Sequence, residues 1–278
     1  GPRDRVSQAY WHEVQKGNTV TTQWGECVLL DMRHLGEKYI NERLPLVREL
    51  AISYLGVDIV KEAVPIRPVV HYMMGGISTN TDAATALPGL FAAGECACVS
   101  LNGANRLGSN SLVELLVFGK SAALSAVKHL QNLPAANTAA LDAQANASQA
   151  RIRELFLRTD GTESMSGLRK EMMDTMEKNV GIYRNEAGLQ EAVSKIAELR
   201  QRYQKVVLND KSNVFNTDLF QVLELGSMLD CAEALTVGAL ARKESRGAHQ
   251  RLDYVERDDQ NYLRHSMVTY QGLNPPKV

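Results

Sequence analysis

A loop rich in glycine and asparagine that opens a long apolar helix constrains the fold of this 278-residue chain more than any other feature. The loop runs Gly103-Ala104-Asn105-Arg106-Leu107-Gly108-Ser109-Asn110-Ser111-Leu112, and an apolar run that ends in Gly94-Glu95-Cys96 precedes it. Glycines let a ligand approach the backbone, and the free N–H groups at a helix start attract negative charge. The pattern predicts a site for a polyanionic or dinucleotide ligand, although the same loop is also typical of an ordinary turn.

Two charged side chains suit this loop to ligand binding. Glu95, at the end of the apolar run, can accept hydrogen bonds from the hydroxyl groups of a ribose. Arg106 can present a two-pronged guanidinium to a carboxylate, as bidentate pairs do. The alternative for Arg106 is a surface arginine or an ion pair that tethers the loop, and the residue pattern alone leaves both open.

His71 and Arg3 are candidates outside the loop. His71 stands in the apolar run Val69-Val70-His71-Tyr72-Met73-Met74-Gly75-Gly76, where a histidine is either a hydrogen-bonded core residue or a substrate ligand. Arg3 precedes Asp4 in the first turn of a predicted helix, where an acidic residue suits the helix dipole and the arginine needs no function. The pattern leaves both roles open at His71, whereas at Arg3 it indicates only the ordinary chemistry of a helix start.

Charge and cysteine content exclude several classes of protein. The chain has 31 Lys and Arg against 32 Asp and Glu, so it lacks the basic excess that is typical of nucleic-acid-binding proteins. Its 44% apolar content predicts a folded chain rather than a disordered one. Four cysteines are too few for a disulfide scaffold, which favours a reducing compartment, and Cys96-x-Cys98 lacks the second pair that a metal site needs.

Neither a secretory signal nor a membrane span is expected in this chain. The first residues show no charged segment followed by an apolar one. The most apolar stretch, Leu112–Leu130, carries Glu114, Lys120 and Lys128, and these charges predict that it is too polar to cross a bilayer.

The first half of the chain is predicted to mix helices with strands. The expected elements are helices at Asp4–Lys16 and around Gly36–Leu55, and strands at Cys27–Asp31, at Pro88–Ala93 and through His71-Tyr72. Pro65 and Pro68 indicate a linker, because each proline disfavours helix at the residue before it.

From about residue 135 the pattern becomes helical. The predicted helices are Ala135–Arg158, Met165–Asn179, an apolar stripe from Leu189 to Val206, and Leu219–Arg242. Apolar residues three or four apart in the stripe indicate one buried helix face. Asn216 is the expected cap of the last helix, and Gly247 the expected C′ residue that ends it. The predicted fold is an α+β, multi-domain chain in which a three- or four-helix bundle follows an α/β part.

Five segments, in order along the chain, resemble the flavoprotein subunits of fumarate reductase and succinate dehydrogenase, and the bacterial quinol:fumarate reductases most closely. They are Gly1-Pro2-Arg3-Asp4-Arg5-Val6-Ser7-Gln8-Ala9, His71-Tyr72-Met73-Met74-Gly75-Gly76-Ile77, Gly89-Leu90-Phe91-Ala92-Ala93-Gly94-Glu95, the Gly103–Leu112 loop, and Ala241-Arg242-Lys243-Glu244-Ser245-Arg246-Gly247-Ala248-His249. The related L-aspartate oxidases tend to have Met-Ala where this chain has Leu107-Gly108.

The resemblance implies a role for each candidate residue. FAD is the cofactor in this family, and hydride passes from it to fumarate, giving succinate. Arg3 matches the arginine that delivers the proton, and His71 and Arg106 match residues that bind the dicarboxylate. Glu95 matches the acid on the FAD ribose, and Ser111 with Leu112 matches the helix start beneath the flavin; no metal ligands are implied.

The resemblance also implies partners and a cellular setting. Electrons arrive from an iron–sulfur subunit, and membrane anchor subunits hold the complex at the cytoplasmic side of the inner membrane as a peripheral electron-transport enzyme of anaerobic respiration. No nucleic acid is involved. Succinate dehydrogenase and L-aspartate oxidase are the alternatives within the superfamily, and a non-catalytic helical interaction fragment is the alternative outside it.

The family pattern predicts four parts in this chain. They are the later part of a capping domain (1–68), the returning segment of an FAD-binding α/β domain (69–134), a helical bundle (135–247) and a C-terminal tail (248–278). The glycine-rich strand–turn–helix that holds the FAD pyrophosphate in the family has no counterpart in this sequence. The chain is therefore expected to be a C-terminal half that is inactive alone.

Overall fold

The structure is a computed structural model that describes residues 3–23, 25–131, 133 and 136–278. Gly1 and Pro2, which open the first family-like segment, and Ala135, the predicted start of a helix, lie outside the described residues. The chain divides into two compact units, residues 1–72 and 73–278.

The first unit begins with a helix, α1 (Arg3–Lys16), that confirms the predicted one. An antiparallel sheet follows, in the order β1 (Val20–Thr22), β2 (Gly25–Leu30) and β3 (Val64–Ile66). Strand β2 confirms the strand predicted at Cys27–Asp31. The linker predicted at Pro65 and Pro68 is wrong at Pro65, which lies within β3 opposite Leu29, whereas Pro68 lies in irregular chain just before the division between the two units. A proline is tolerated in β3 because it is an edge strand.

The helix predicted around Gly36–Leu55 is two helices, α2 (Gly36–Arg43) and α3 (Pro45–Leu55). Pro45 separates them, because its ring cannot follow a helical residue without a clash but fits the first position of a new helix. Helix α3 ends at Gly56, which adopts a left-handed conformation with φ of 69°. The unit buries one apolar cluster between these elements, made of Met32, Ile40, Ala51, Ile59 and Val64.

The second unit begins with irregular chain rather than the strands expected there. Two-residue strands β4 (Ile77–Ser78) and β5 (Ala97–Cys98) pair in parallel, and a Cβ on Gly76 would lie 2.5 Å from the carbonyl oxygen of Cys96. The strand predicted at Pro88–Ala93 is wrong, since Phe91 makes only an isolated bridge to Ala84. No strand passes through His71-Tyr72 either. Apolar runs this short do not reveal whether they have a pairing partner.

Helix α4 (Asn110–Leu130) follows the glycine-rich loop as predicted. Its described residues leave Leu112, Val113, Leu116 and Val127 more than half exposed, and only Glu114 is buried. By length and composition α4 is able to cross a membrane, contrary to the sequence expectation. One such helix is weak support for a membrane span, because helices that pack in the core of other proteins meet the same criteria.

Three helices of the second unit form a bundle: α6 (Met165–Val180), α7 (Glu186–Tyr203) and α8 (Thr217–Ala241). Its core comprises Leu155, Leu168, Met172, Ile196, Leu199, Val206, Leu208, Val222, Leu225, Leu229 and Ala232. The predicted cap is confirmed, because the Asn216 side chain accepts a hydrogen bond from Leu219 N at 2.8 Å. Helix α5 (Thr138–Leu157) precedes the bundle and buries only Leu155 among its residues. A short helix, α9 (Asp259–Tyr262), lies near the end of the chain.

Candidate functional site

Glu95 lies in a tight turn that leads into β5. Gly94, which precedes it, has φ of 83° and is buried, and its carbonyl oxygen accepts a hydrogen bond from Ala97 N at 3.0 Å. The exposed Glu95 carboxylate accepts a hydrogen bond from Met73 N at 2.9 Å. A carboxylate has about four acceptor positions, so this bond leaves capacity for hydroxyl donors of a ligand.

Side-chain hydrogen bonds connect the start of the glycine-rich loop to the first turns of α4. They involve Asn102, Asn110 and Glu114. Asn102 Nδ2 donates to Glu114 Oε2 at 2.7 Å, and Asn110 Nδ2 donates to Asn102 Oδ1 at 3.2 Å. Glu114 is 2% exposed, and a carboxylate near a helix N-terminus is stabilised by the helix dipole. Sequence reasoning used Glu114 only as an argument against a membrane span. The sequence did contain a signal for this role, because Glu114 is the only acidic residue in an otherwise apolar helix start.

The first turn of α4 is open toward a ligand. Ser109, at the N-cap position, has φ of 62°, and its side chain makes no capping hydrogen bond. The N–H groups of Ser111 and Leu112 belong to the first helical turn, where the partial positive charge of a helix is concentrated. The N–H group of Leu112 also donates to the carbonyl oxygen of Ser109 at 3.3 Å. A Cβ on Gly103 or Gly108 would meet nothing within 4 Å, so a ligand has room against this backbone.

Arg106 is half-buried in this loop, and its Nη1 donates to the carbonyl oxygen of Leu107 at 3.3 Å. The structure thus brings Arg106, Ser111 and Leu112 together on one loop and helix start. Glu95 belongs to the same unit. Their roles as substrate and cofactor ligands stay predictions.

Arg3 and His71 belong to the first unit. Arg3 is the first residue of α1 and is exposed, whereas the neighbouring Asp4 is half-buried. Among the described residues, none donates a hydrogen bond to the buried Oδ1 atom of Asp4. His71 is exposed, in irregular chain after β3, and does not lie in an apolar cluster of the described residues; its role as a substrate ligand stays a prediction.

A charged turn, residues 242–259, abuts the glycine-rich loop, and sequence reasoning missed this contact. Ala248 N donates to the carbonyl oxygen of Ala104 at 2.9 Å, and a Cβ on Gly247 would lie 2.5 Å from that oxygen. Gly247 is therefore not the C′ residue of α8, which ends six residues earlier at Ala241. Its φ of 56° belongs to a tight turn in which Arg246 and His249 exchange backbone hydrogen bonds.

A fully buried carboxylate, Glu244, organises the charged turn. It accepts hydrogen bonds from Arg242 and from Arg246, whose Nε lies 2.8 Å from Oε1, and also from Asp258 N at 2.9 Å. Burial would raise the pKa of Glu244, but these hydrogen bonds outweigh burial and lower it. The turn is thus an ionised cluster, which has to stay paired because a lone buried charge is costly.

His249 is held neutral in the same turn. Arg184 Nη1 donates to His249 Nδ1 at 2.9 Å, and His249 Nε2 donates to the carbonyl oxygen of Arg242 at 3.1 Å. Burial lowers the pKa of His249 to about 4, and the charge of Arg184 adds to this effect. Burial likewise lowers the pKa of Arg184, to about 10.

Two family profiles match the chain. A profile described as the C-terminal part of fumarate reductase flavoproteins matches residues 169–277, and an FAD-binding domain profile matches residues 1–112. In the part of the chain that the structure describes, no three histidine, cysteine or acidic side chains cluster as a metal site requires.

Several similar proteins are flavoprotein subunits of fumarate reductase or succinate dehydrogenase. The chain is 52% identical to the fumarate reductase flavoprotein subunit of Haemophilus influenzae over 279 residues, covering 100% of the chain and 46% of that protein. It is 40% identical to the succinate dehydrogenase flavoprotein subunit of Coxiella burnetii, covering 97% and 47%. A solved quinol fumarate reductase of E. coli superposes with a TM-score of 0.95 at 49% identity, covering 100% of this chain and 48% of that one. The chain thus spans about half the length of these proteins.

Proposed function

Because the chain belongs to the fumarate reductase and succinate dehydrogenase flavoprotein family, we propose that it is the C-terminal part of a flavoprotein subunit that reduces fumarate to succinate. The observation that carries this proposal is the identity of about half of all residues with fumarate reductase subunits over the whole chain. Residues 1–68, 69–134, 135–247 and 248–278 are then a capping segment, a returning FAD-domain segment, a helical bundle and a tail.

The open loop and helix start fit part of an FAD site. Glu95 offers carboxylate oxygens to ribose hydroxyls from an exposed turn, and the first turn of α4 offers positive charge at Ser111 and Leu112. When bound, FAD supplies the hydride. The remaining contacts of such a cofactor would come from residues outside this sequence, since the family's glycine-rich strand–turn–helix is not among the 278 residues.

Arg106 and His71 act on the substrate in this proposal. Hydride addition to a carbon–carbon double bond develops negative charge next to a carboxylate, and a fixed guanidinium stabilises that charge as it forms. Arg106 is suited to this task because its two N–H edges match a carboxylate in a bidentate pair. His71 supplies a second donor to the dicarboxylate from an exposed position.

Arg3 holds the proton that completes succinate. A guanidinium gives up its proton reluctantly, so Arg3 needs a strongly basic acceptor and rapid reprotonation. Asp4 is a suitable relay, because its Oδ1 is buried and accepts no hydrogen bond from the described residues. In this proposal an iron–sulfur subunit and membrane anchor subunits complete the complex at the cytoplasmic side of the inner membrane. A similar solved structure supports it, because that structure is described as a quinol-fumarate reductase.

The test uses the full-length protein that contains this sequence. Arg106→Ala should lower viologen-linked fumarate reduction at least about 100-fold, the loss expected for one transition-state donor, and should leave the visible flavin spectrum unchanged. Arg153→Ala, at an exposed arginine of α5, is the matched control and should keep full activity. Undiminished turnover in Arg106→Ala contradicts the proposed role of this residue.

Two further assays separate the alternatives. Succinate dehydrogenase is the alternative with the lower identity, 40% to the Coxiella burnetii subunit against 52% to a fumarate reductase subunit, and succinate oxidation that clearly outpaces fumarate reduction would indicate it. Oxygen consumption with L-aspartate would indicate the oxidase. A full-length protein that never binds flavin would indicate the interaction fragment.

A further inference from the structure

A cysteine, a serine and a histidine from distant parts of the sequence meet in the second unit. Cys98 Sγ lies 3.8 Å from His265 Nδ1, and His265 Nε2 lies 2.8 Å from Ser100 Oγ. With the proton on Nε2, that nitrogen donates to Ser100 Oγ and leaves the Nδ1 lone pair facing the thiol. A nucleophile, a base in contact with it and a third group that orients the base form the arrangement that activates nucleophiles in proteins.

Both sides of this contact are held by the fold. Cys98 lies in β5, where its carbonyl oxygen accepts a hydrogen bond from Thr79 N at 3.2 Å. On the other side, Arg242 donates to the carbonyl oxygen of Tyr262 at 3.0 Å and to that of Arg264, next to His265. The side chain of Arg242 also packs over the Tyr262 ring, with 5.4 Å from its guanidinium carbon to the ring centre.

The backbone at Ser100 is strained in a way that supports the contact. Ser100 has φ of 72°, a conformation that residues other than glycine rarely adopt and that costs free energy. Such strain persists where surrounding contacts hold a side chain in a required place, and here the side chain reaches His265.

We propose that Cys98 is a base-activated thiol that exchanges with small-molecule disulfides. His265 Nδ1 takes the thiol proton, and the resulting Cys98 sulfur attacks one sulfur of the disulfide. A new S–S bond forms between Cys98 and that sulfur while the original S–S bond breaks. The departing thiolate takes the proton from His265, so Cys98 ends in a mixed disulfide and one free small thiol is released.

The other cysteines provide internal controls. Cys96 and Cys231 are exposed, and neither has a histidine contact among the described residues. Cys27 is buried, with 4% of its surface exposed, so it should react slowest. Exposure alone therefore predicts that Cys96 and Cys231 react faster than the less exposed Cys98, whereas activation by His265 predicts the opposite order.

The experiment treats the full-length protein at pH 7 with oxidised glutathione and measures modification of each cysteine by mass spectrometry with fragment-ion localisation. Fragmentation between residues 96 and 98 separates their signals, because Ala97 lies between them. A few per cent of an ordinary thiol is ionised at pH 7, so Cys98 should react on the order of tenfold faster than Cys96. His265→Gln should remove this advantage, and Ser100→Ala should reduce it.

Variant His34→Gln, at an exposed histidine of the first unit, is the matched control and should leave every rate unchanged. Circular dichroism checks that each variant is folded. Equal rates at Cys98 and Cys96 would overturn the proposal, as would a His265→Gln variant in which Cys98 keeps its rate. A faster Cys98 in that variant would mean that the imidazole only shields the thiol, which also overturns it.

Discussion

Two neighbouring regions of the second unit differ in how their polar groups are paired. They are the charged turn, residues 242–259, and the open loop with its helix start, residues 102–114. In the charged turn the buried groups are paired: Glu244 with two arginines, and Arg251 with Glu186 and Asp253. In the open loop, Leu107 is 76% exposed and the first turn of α4 lacks a side-chain cap. A closed ionic cluster suits a scaffold, and an open helix start suits ligand binding. We infer that the first positions the second through the contact at Ala104.

Removing the carboxylate of Glu244 should destabilise the charged turn more than any other single change. Glu244→Ala leaves Arg242 and Arg246 without their shared buried partner, so the free energy of unfolding of the second unit should fall by about 3–5 kcal/mol. Urea unfolding of the chain, followed by circular dichroism, measures this loss.

The control for this variant removes an exposed carboxylate. Glu191→Ala takes away an exposed ion pair with Lys178 and should cost no more than about 1 kcal/mol. Equal losses in Glu244→Ala and Glu191→Ala would mean that the charged turn is not a scaffold.

Sequence patterns predicted the elements that depend on near neighbours. The spacing of apolar residues predicted helices α1 and α6. The Asn216 cap was predicted because this side chain stands three residues before Leu219, whose N–H group it caps. The strand predicted at Pro88–Ala93 failed because a strand needs a partner that the pattern does not name. Pro45 did carry the signal that divides α2 from α3, and it was overlooked.

The site divides in the same way. Glu95 and the helix start at Ser111 were predicted because a carboxylate beside a glycine, and a loop before an apolar run, are local patterns. The contact between Ala104 and Gly247 joins residues far apart in sequence, and nothing near either residue indicates it. Long-range packing of this kind is decided by the whole fold, so sequence reasoning assigned Gly247 to a helix end instead.

A substitution at Gly247 tests the contact between the charged turn and the open loop directly. Gly247→Ala places a Cβ 2.5 Å from the Ala104 carbonyl oxygen and puts alanine at a φ of 56°, so we expect a loss of about 2–3 kcal/mol in the free energy of unfolding. Amide hydrogen exchange should also become faster in residues 102–109, because the loop has to move away from the new methyl group.

Gly272→Ala is the matched control for the contact. Gly272 has a similar φ of 67°, but a Cβ there would meet nothing within 4 Å. This variant should pay only the backbone cost of about 1 kcal/mol and leave exchange in the loop unchanged. Indistinguishable exchange in the two variants would show that the turn does not position the loop.

Protonation of His249 at low pH should have the smallest effect on the free energy of unfolding. Its pKa is lowered to about 4 in the folded chain, against 6.5 for an ordinary histidine, so the unfolded chain binds more protons between these values. Stability should be at its full value above pH 6.5 and fall as the pH drops toward 4, by on the order of 2 kcal/mol because His249 is partly exposed. Carboxylates such as Asp253, with a pKa lowered to about 2, lose their contribution mainly below this window.

Urea unfolding at pH 7, 6, 5 and 4.5 should therefore show a decline in the free energy of unfolding. The His249→Gln variant should lose this decline, and the control variant His34→Gln should keep it. If the decline persists in His249→Gln, protonation of other groups destabilises the chain. Neutral His249 would then make no contribution to the stability of the charged turn.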